Sequence, residues 1–85
     1  MTEWSIEFSP KADKELLSFA YNVSDRIMDK LKETRANPQH YFERLKGRTD
    51  YKLRIGDYRV VADINESEML IWVTKVGHRR NVYER

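Results

Sequence analysis

Three cations on one face of a short hairpin are the residues of this sequence best suited to chemistry. Residues 51–61, YKLRIGDYRVV, are two strand-like runs around a Gly-Asp pair, which is typical of a two-residue type II′ turn. Because side chains alternate along a strand, Lys52, Arg54 and Arg59 share one face, and the turn places Arg54 opposite Arg59. Arginines directly opposite each other repel, so the arrangement indicates an anion such as phosphate between them.

The other hairpin side chains form an apolar face, which we expect helices to cover so that the cationic face stays open. The residues of this apolar face are Tyr51, Leu53, Ile55, Tyr58, Val60, Ala62 and Ile64.

Residues after the last predicted strand add to the cationic face. We expect Arg79 to join the three hairpin cations and Tyr83 to lie at the edge of the same concave surface. Aromatic rings among Arg and Lys are typical of RNA contacts, where cations bind phosphate and rings stack on bases. The further basic side chains that we predict to contact RNA are Arg44, Lys46, Arg48, Lys75, His78, Arg80 and Arg85.

The charge distribution points to the same partner. The chain has 85 residues, is 40% hydrophobic and 35% charged, and carries a net charge of only +2. Residues 44–59 hold six Lys or Arg against two Asp, and residues 75–85 hold four against one Glu, whereas the other segments are net negative. Basic charge clustered in this way is the electrostatic footprint of a polyanion partner.

Several classes of site and location are disfavoured by composition. The chain has no Cys, which excludes disulfides and thiolate metal sites. We expect no metal and no cofactor, because the His, Asp and Glu residues are not clustered, and we expect His40 to take no part in chemistry. The N-terminal residues do not resemble a signal peptide and no apolar run approaches about 20 residues, so we expect a cytoplasmic protein without a membrane span.

The elements that must position these residues follow the order β-α-α-β-β-β. A strand at 4–8 precedes a helix that Ser9 caps and Pro10 starts; Ser24 caps a second helix that ends near Asn37 and Pro38. Residues 39–50 are predicted to be a connector anchored by Tyr41, Phe42 and Leu45. We therefore predict a single α+β domain over residues 1–85, with two layers: an antiparallel sheet and a helical hairpin on one face.

The motifs RLKG, YKLRIGDYRVVADI and VTKVGHRRNVYER together resemble the RelE/ParE superfamily of bacterial and archaeal toxins over essentially the whole chain. The closing GHRRNVY is the most specific part. Resemblance to the RelE branch implies a ribosome-dependent endoribonuclease that cleaves mRNA in the ribosomal A site by attack of the ribose 2′-hydroxyl. It also implies a cognate RelB-like antitoxin that holds the toxin inactive.

Carried over by motif, Lys52, Arg59, Arg79 and Tyr83 match positions of the family's catalytic set. Arg54 stands where the RelE branch often has a second lysine. Because arginine does not deprotonate in proteins, Arg54 can bind a phosphate but cannot act as a base. Lys52 is then the candidate base among these matches.

Two other functions stay open at this point. A ParE-like toxin inhibits DNA gyrase without catalysing a reaction, and such an inhibitor has no need of the cationic set. An inactive RNA-binding partner of an antitoxin is the other alternative, which the arginine at position 54 keeps open.

Overall fold

Eight short elements make up the part of the chain that the computed structural model describes, residues 3–78. The strands and helices are β1 (Ser5–Phe8), α1 (Pro10–Leu17), α2 (Tyr21–Thr34), α3 (Pro38–Tyr41), β2 (Glu43–Arg44), β3 (Tyr51–Ile55), β4 (Tyr58–Asn65) and β5 (Leu70–His78).

The strands form one five-stranded sheet in the order β1-β5-β4-β3-β2. The predicted α+β fold and the antiparallel meander of β3, β4 and β5 are confirmed. The first strand also joins this sheet, but it pairs with β5 in parallel, from Ser5 beside Leu70 to Phe8 beside Val73. The sheet is therefore mixed rather than wholly antiparallel. A parallel pair needs a long crossover connection, and the helices together with the meander supply it.

The start of the first helix is confirmed and the break between the helices lies earlier than predicted. Ser9 caps α1 by accepting the Ala12 amide at 3.1 Å. The helix ends at Leu17, and α2 begins at Tyr21, so the prediction that Ser24 caps the second helix is wrong. Ser24 lies inside α2, where its hydroxyl donates to the Tyr21 carbonyl at 3.2 Å. A serine hydroxyl can either cap the start of a helix or donate to a backbone carbonyl in the preceding turn, and Ser24 does the latter.

The predicted connector contains structure of its own. The second helix ends at Thr34, and Pro38 then starts the single-turn helix α3, since its fixed φ suits a first helical position. Phe42, one of the predicted anchors, is buried in the core, and Tyr41 and Leu45 are half-buried. This segment ends in β2, which pairs along the first residues of β3.

The core lies between the helices and one face of the sheet. All seven residues of the predicted apolar hairpin face belong to this core or pack against it. They meet Ala12 and Leu16 from α1 and Ile27 and Leu31 from α2, all buried. In residues 3–78, no helix is long and apolar enough to cross a membrane.

The hairpin turn has the predicted register, which fixes the cationic face. Ile55 pairs with Tyr58 and Arg54 with Arg59. Gly56 has a φ of +58°, and among the described non-glycine residues only Met69 has a positive φ. A type II′ turn has a positive φ at the first of its two central residues and not at the second, as Gly56 and Asp57 have here. Glycine suits the first position because it has no Cβ to clash with the backbone at positive φ.

Candidate functional site

The open face of the sheet carries its cations in two rows. Cross-strand partners point to the same face, so the register defines each row across β3, β4 and β5. One row contains Lys52, Val61 and Lys75, extended by Glu43 from β2, and the next contains Arg54, Arg59 and Gly77. The rows are two residues apart along β3, which corresponds to about 7 Å. The face thus presents cations at a spacing that several oxygens of a nucleic-acid backbone can contact.

A cleft of about 310 Å³ opens where this face meets the edge of the sheet. The short strand β2 pairs only with Tyr51 and Lys52, so β3 is an edge strand from Leu53 onward. Lys52, Arg54 and Arg59 all line the cleft, so the structure brings together the three hairpin residues that the sequence singled out. The other lining residues are Lys30, His40, Tyr41, Glu43 and Leu53.

Lys52 contacts a carboxylate within this cleft. Its Nζ lies 3.8 Å from Oε1 of Glu43, its cross-strand partner in β2. The Lys52 side chain is 26% exposed and that of Glu43 is 76% exposed, so the contact is a solvated one. An incoming phosphate therefore competes with Glu43 for the same ammonium group.

The two opposed arginines differ in burial. Arg54 is exposed, whereas Arg59 is only 6% exposed although it carries a full charge. Packing of this kind holds a guanidinium in place before a ligand arrives, which is the condition for strong electrostatic stabilisation. Gly77, the β5 partner of Arg59, contributes no side chain to this row.

Residues from the helical layer form a second wall that sequence reasoning missed. Lys30 from α2 and His40 and Tyr41 from α3 line the cleft with the hairpin cations. Lys30 Nζ lies 5.4 Å from the centre of the Tyr41 ring, and that ring meets the His40 ring edge-on at 5.2 Å. His40 was expected to take no part in chemistry, yet it lies at the candidate site. Its place depends on how α3 packs beside β3, which local sequence patterns do not reveal.

The remaining predicted RNA contacts are dispersed. Lys75 lies on the open face in the row of Lys52. Arg44 pairs with Tyr51 and by register points to the other face, where its Nε donates to the carbonyl of Arg48 at 3.3 Å. Arg48 also binds the Asp50 carboxylate at 2.8 Å, and Lys46 is exposed in the same loop. This loop is a basic projection beside the cleft rather than part of its lining.

His78, at the end of β5, lies on the opposite face of the sheet from the hairpin cations, because it pairs with Tyr58. The His78 ring packs edge-on against Tyr58 at 5.5 Å, and Tyr58 in turn packs against Phe19. These rings lie on the helical side of the sheet. Arg79, Arg80, Tyr83 and Arg85 lie outside the described residues. Within residues 3–78, no group of three or more His, Asp or Glu is placed to hold a metal ion.

Comparisons with known proteins agree with this fold. Residues 6–83 match the family described as ParE toxin of type II toxin-antitoxin system, parDE. No curated protein matches the sequence significantly. Among solved structures, the toxin-antitoxin complex RelBE2 of Mycobacterium tuberculosis matches with a TM-score of 0.85 at 16% identity, over 92% of this chain and 100% of that one.

Two further structures are similar over nearly their whole length. The intact Escherichia coli RelBE toxin-antitoxin complex matches with a TM-score of 0.76 at 26% identity, over 96% of this chain and 99% of that one. The archaeal RelE-RelB complex of Pyrococcus horikoshii matches with a TM-score of 0.76 at 21% identity, over 93% and 98%. Because the family match covers most of the chain, the protein belongs to the ParE toxin family of the RelE/ParE superfamily and is a toxin of a type II toxin-antitoxin system.

Proposed function

We propose that this toxin is a ribosome-dependent endoribonuclease that cleaves mRNA in the ribosomal A site and thereby inhibits translation. The observation that carries the proposal is the convergence of Lys52, Arg54 and Arg59 on one cleft at the open sheet face. A toxin that only occludes a protein partner needs no such concentration of cations facing a cleft. The resemblance of the closing motif to the RelE branch supports the same assignment.

The chemistry that these residues can support is transfer of the phosphate to the neighbouring 2′-hydroxyl. That hydroxyl is held beside its own phosphate and attacks as an intramolecular nucleophile, so no metal-activated water is needed. Lys52 is the candidate base, and its amine accepts the hydroxyl proton while the oxygen forms a bond to phosphorus. The bond to the 5′-oxygen of the next nucleotide then breaks, and that oxygen takes up a proton from water. The products are a 2′,3′-cyclic phosphate and a 5′-hydroxyl.

The arginines stabilise the charge that develops during this step. Arg54 and Arg59 bind the non-bridging phosphate oxygens, and the buried position of Arg59 makes that contact preorganised. Arg79 stabilises the charge on the scissile phosphate, or holds a bound water that donates a proton to the leaving oxygen, and Tyr83 stacks on a base and orients the sugar. The assignments of Arg79 and Tyr83 rest on the motif that they share with the family.

A RelB-like antitoxin is the partner that we propose for regulation. The solved structures similar to this chain include complexes of RelE with RelB from bacteria and archaea. The open cationic face repels itself in the free toxin, so acidic or helical antitoxin segments that cover it gain favourable electrostatic energy. Co-expression of the antitoxin should therefore relieve the growth arrest that the toxin alone causes.

Inhibition of DNA gyrase is the second candidate, and the family match favours it because that family is named for ParE toxins. Such an inhibitor acts through protein contacts, so substitution of the cleft cations should leave its toxicity largely intact. An inactive RNA-binding partner, by contrast, would bind ribosomes without cutting the message.

The decisive experiment measures both activities of one preparation. Purified toxin is added to an in vitro translation reaction whose message is mapped by primer extension, and separately to a gyrase supercoiling assay. We expect new 5′ ends at A-site codons, their loss in Arg59→Ala, and unchanged supercoiling. Inhibition of supercoiling without message cleavage would overturn the proposal in favour of the ParE-like function.

A further inference from the structure

The helical wall of the cleft has the composition of a nucleotide subsite. Lys30 reaches the cleft from α2, and His40 and Tyr41 reach it from α3, so a cation and two rings line the same cleft as the three hairpin cations. The cleft volume of about 310 Å³ lies at the lower end of the range of about 300–1,000 Å³ for sites that hold small ligands. The cleft is therefore large enough to hold a small ligand.

Lys30 is positioned so that its charge remains available. Its Nζ lies 3.2 Å from Glu33 on the surface of α2 and over the Tyr41 ring, and its side chain is 38% exposed. The Glu33 side chain is 58% exposed, so solvent weakens this pair and an RNA phosphate can displace the carboxylate. The ring beneath Lys30 restricts where the ammonium group can lie, which lowers the entropy lost on binding.

His40 supplies a ring that a base can stack on. It is exposed, lines the cleft and forms a T-shaped pair with the half-buried Tyr41 ring. Unstacked RNA bases bind to aromatic and histidine rings in this way. The helical wall therefore offers both groups that a single nucleotide needs, a cation for its phosphate and a ring for its base.

We propose that this helical wall is a subsite for the nucleotide adjoining the scissile phosphate, with Lys30 binding that nucleotide's phosphate and His40 stacking on its base. The inference rests on the proposed nuclease function and extends it, because it makes α2 and α3 part of substrate recognition. Lys30 and His40 are binding residues in this scheme and do not touch the reacting atoms.

The test compares Lys30→Ala with a control, Lys32→Ala. Lys32 is an exposed lysine of the same helix that does not line the cleft, so the control removes an equal charge from elsewhere on α2. Each variant is titrated onto ribosomes programmed with a message that is 2′-deoxy at the cut nucleotide, at several salt concentrations. Cleavage of the ordinary message is measured in parallel, and thermal unfolding checks the fold. The ring is tested with His40→Ala and His40→Phe.

We expect Lys30→Ala to weaken binding about three- to tenfold. The slope of the logarithm of the binding constant against the logarithm of the salt concentration should become shallower by about one. Lys32→Ala should bind within about twofold of the parent. His40→Ala should weaken binding about fivefold or more, and His40→Phe should restore most of it. Equal effects of Lys30→Ala and Lys32→Ala would overturn the subsite, and equal losses in both His40 variants would overturn the stacking role.

The two proposals fail in different ways in this experiment. If the parent cleaves the message and Lys30→Ala matches its control, the nuclease function stands and the subsite is wrong. If the parent binds ribosomes with the expected Lys30 dependence but does not cleave, Lys30 contacts RNA, but the nuclease function is wrong and with it the placement of the subsite next to a scissile phosphate. Absence of binding and of cleavage would overturn both.

Discussion

Substituting Arg54 with glutamine should make the free toxin more stable and the nuclease weaker. The structure places Arg54 directly opposite Arg59 across the hairpin. The turn is closed by the Ile55–Tyr58 pair, so the arginines form the next pair, of the non-hydrogen-bonded kind in which side chains lie closest. Arg54→Gln removes one charge of this like-charged pair while preserving a polar side chain of similar reach.

The size of the expected gain in stability follows from the geometry of the Arg54–Arg59 pair. Like charges directly opposite each other in a sheet destabilise it by roughly 0.2–1 kcal/mol, and the close pairing places this case in the upper half of that range. For a domain of this size, about 0.5–1 kcal/mol corresponds to a rise in melting temperature of roughly 2–8 °C. Loss of one charge-assisted phosphate contact costs about 1.5–3 kcal/mol, so kcat/KM should fall roughly 10- to 100-fold.

The assay is thermal unfolding of parent, Arg54→Gln and Lys46→Gln at low salt and at 1 M salt, with message cleavage measured in parallel. Lys46→Gln changes the net charge equally, but Lys46 is exposed in the loop and has no cation opposite it in a strand pair. The gain of Arg54→Gln over this control should vanish at 1 M salt, where the Debye length is about 3 Å. A stability gain that persists at high salt, or a lower stability of Arg54→Gln at low salt, would refute the reasoning.

Substitutions at three other positions test separate parts of the mechanism. Glu43→Gln frees Lys52 from its 3.8 Å contact and should raise kcat/KM about two- to fivefold at low salt. The control is Glu3→Gln, which breaks a 3.5 Å surface pair with Arg35 near the opposite edge of the sheet. Slower cleavage by Glu43→Gln than by the parent would contradict this prediction. Arg79→Ala should lower kcat roughly 10²- to 10³-fold with little change in melting temperature, and an unfolded variant would indicate a structural residue. Tyr83→Phe should retain more activity than Tyr83→Ala if stacking dominates, whereas equal losses would assign the role to the hydroxyl.

The sequence predicted the parts of the fold that depend on local chemistry. Gly56 followed by Asp57 defined the turn, and strict alternation on both sides of it placed Arg54 opposite Arg59 and separated the cations from the apolar face. The cap at Ser9 was equally local, because a hydroxyl followed by proline satisfies the first turn of a helix with nearby atoms. These features need no information from distant residues.

What sequence reasoning missed depends on tertiary packing. The parallel pairing of β1 with β5 joins residues more than 60 positions apart, so no local pattern sets its direction. The helical wall of the cleft depends on how α2 and α3 pack beside the edge strand β3. Lys30 and His40 look like ordinary polar residues until that packing brings them to the hairpin cations.

The most direct test of the central claim is the chemistry of the cut ends. Toxin is incubated with programmed ribosomes carrying either an ordinary message or one with a 2′-deoxy substitution at the cut nucleotide, and the products are identified by mass spectrometry. Attack by the 2′-hydroxyl predicts a 2′,3′-cyclic phosphate on one fragment, a 5′-hydroxyl on the other, and no cleavage of the substituted message. A 5′-phosphate at the cut end, or cleavage of the 2′-deoxy message, would contradict the proposed mechanism.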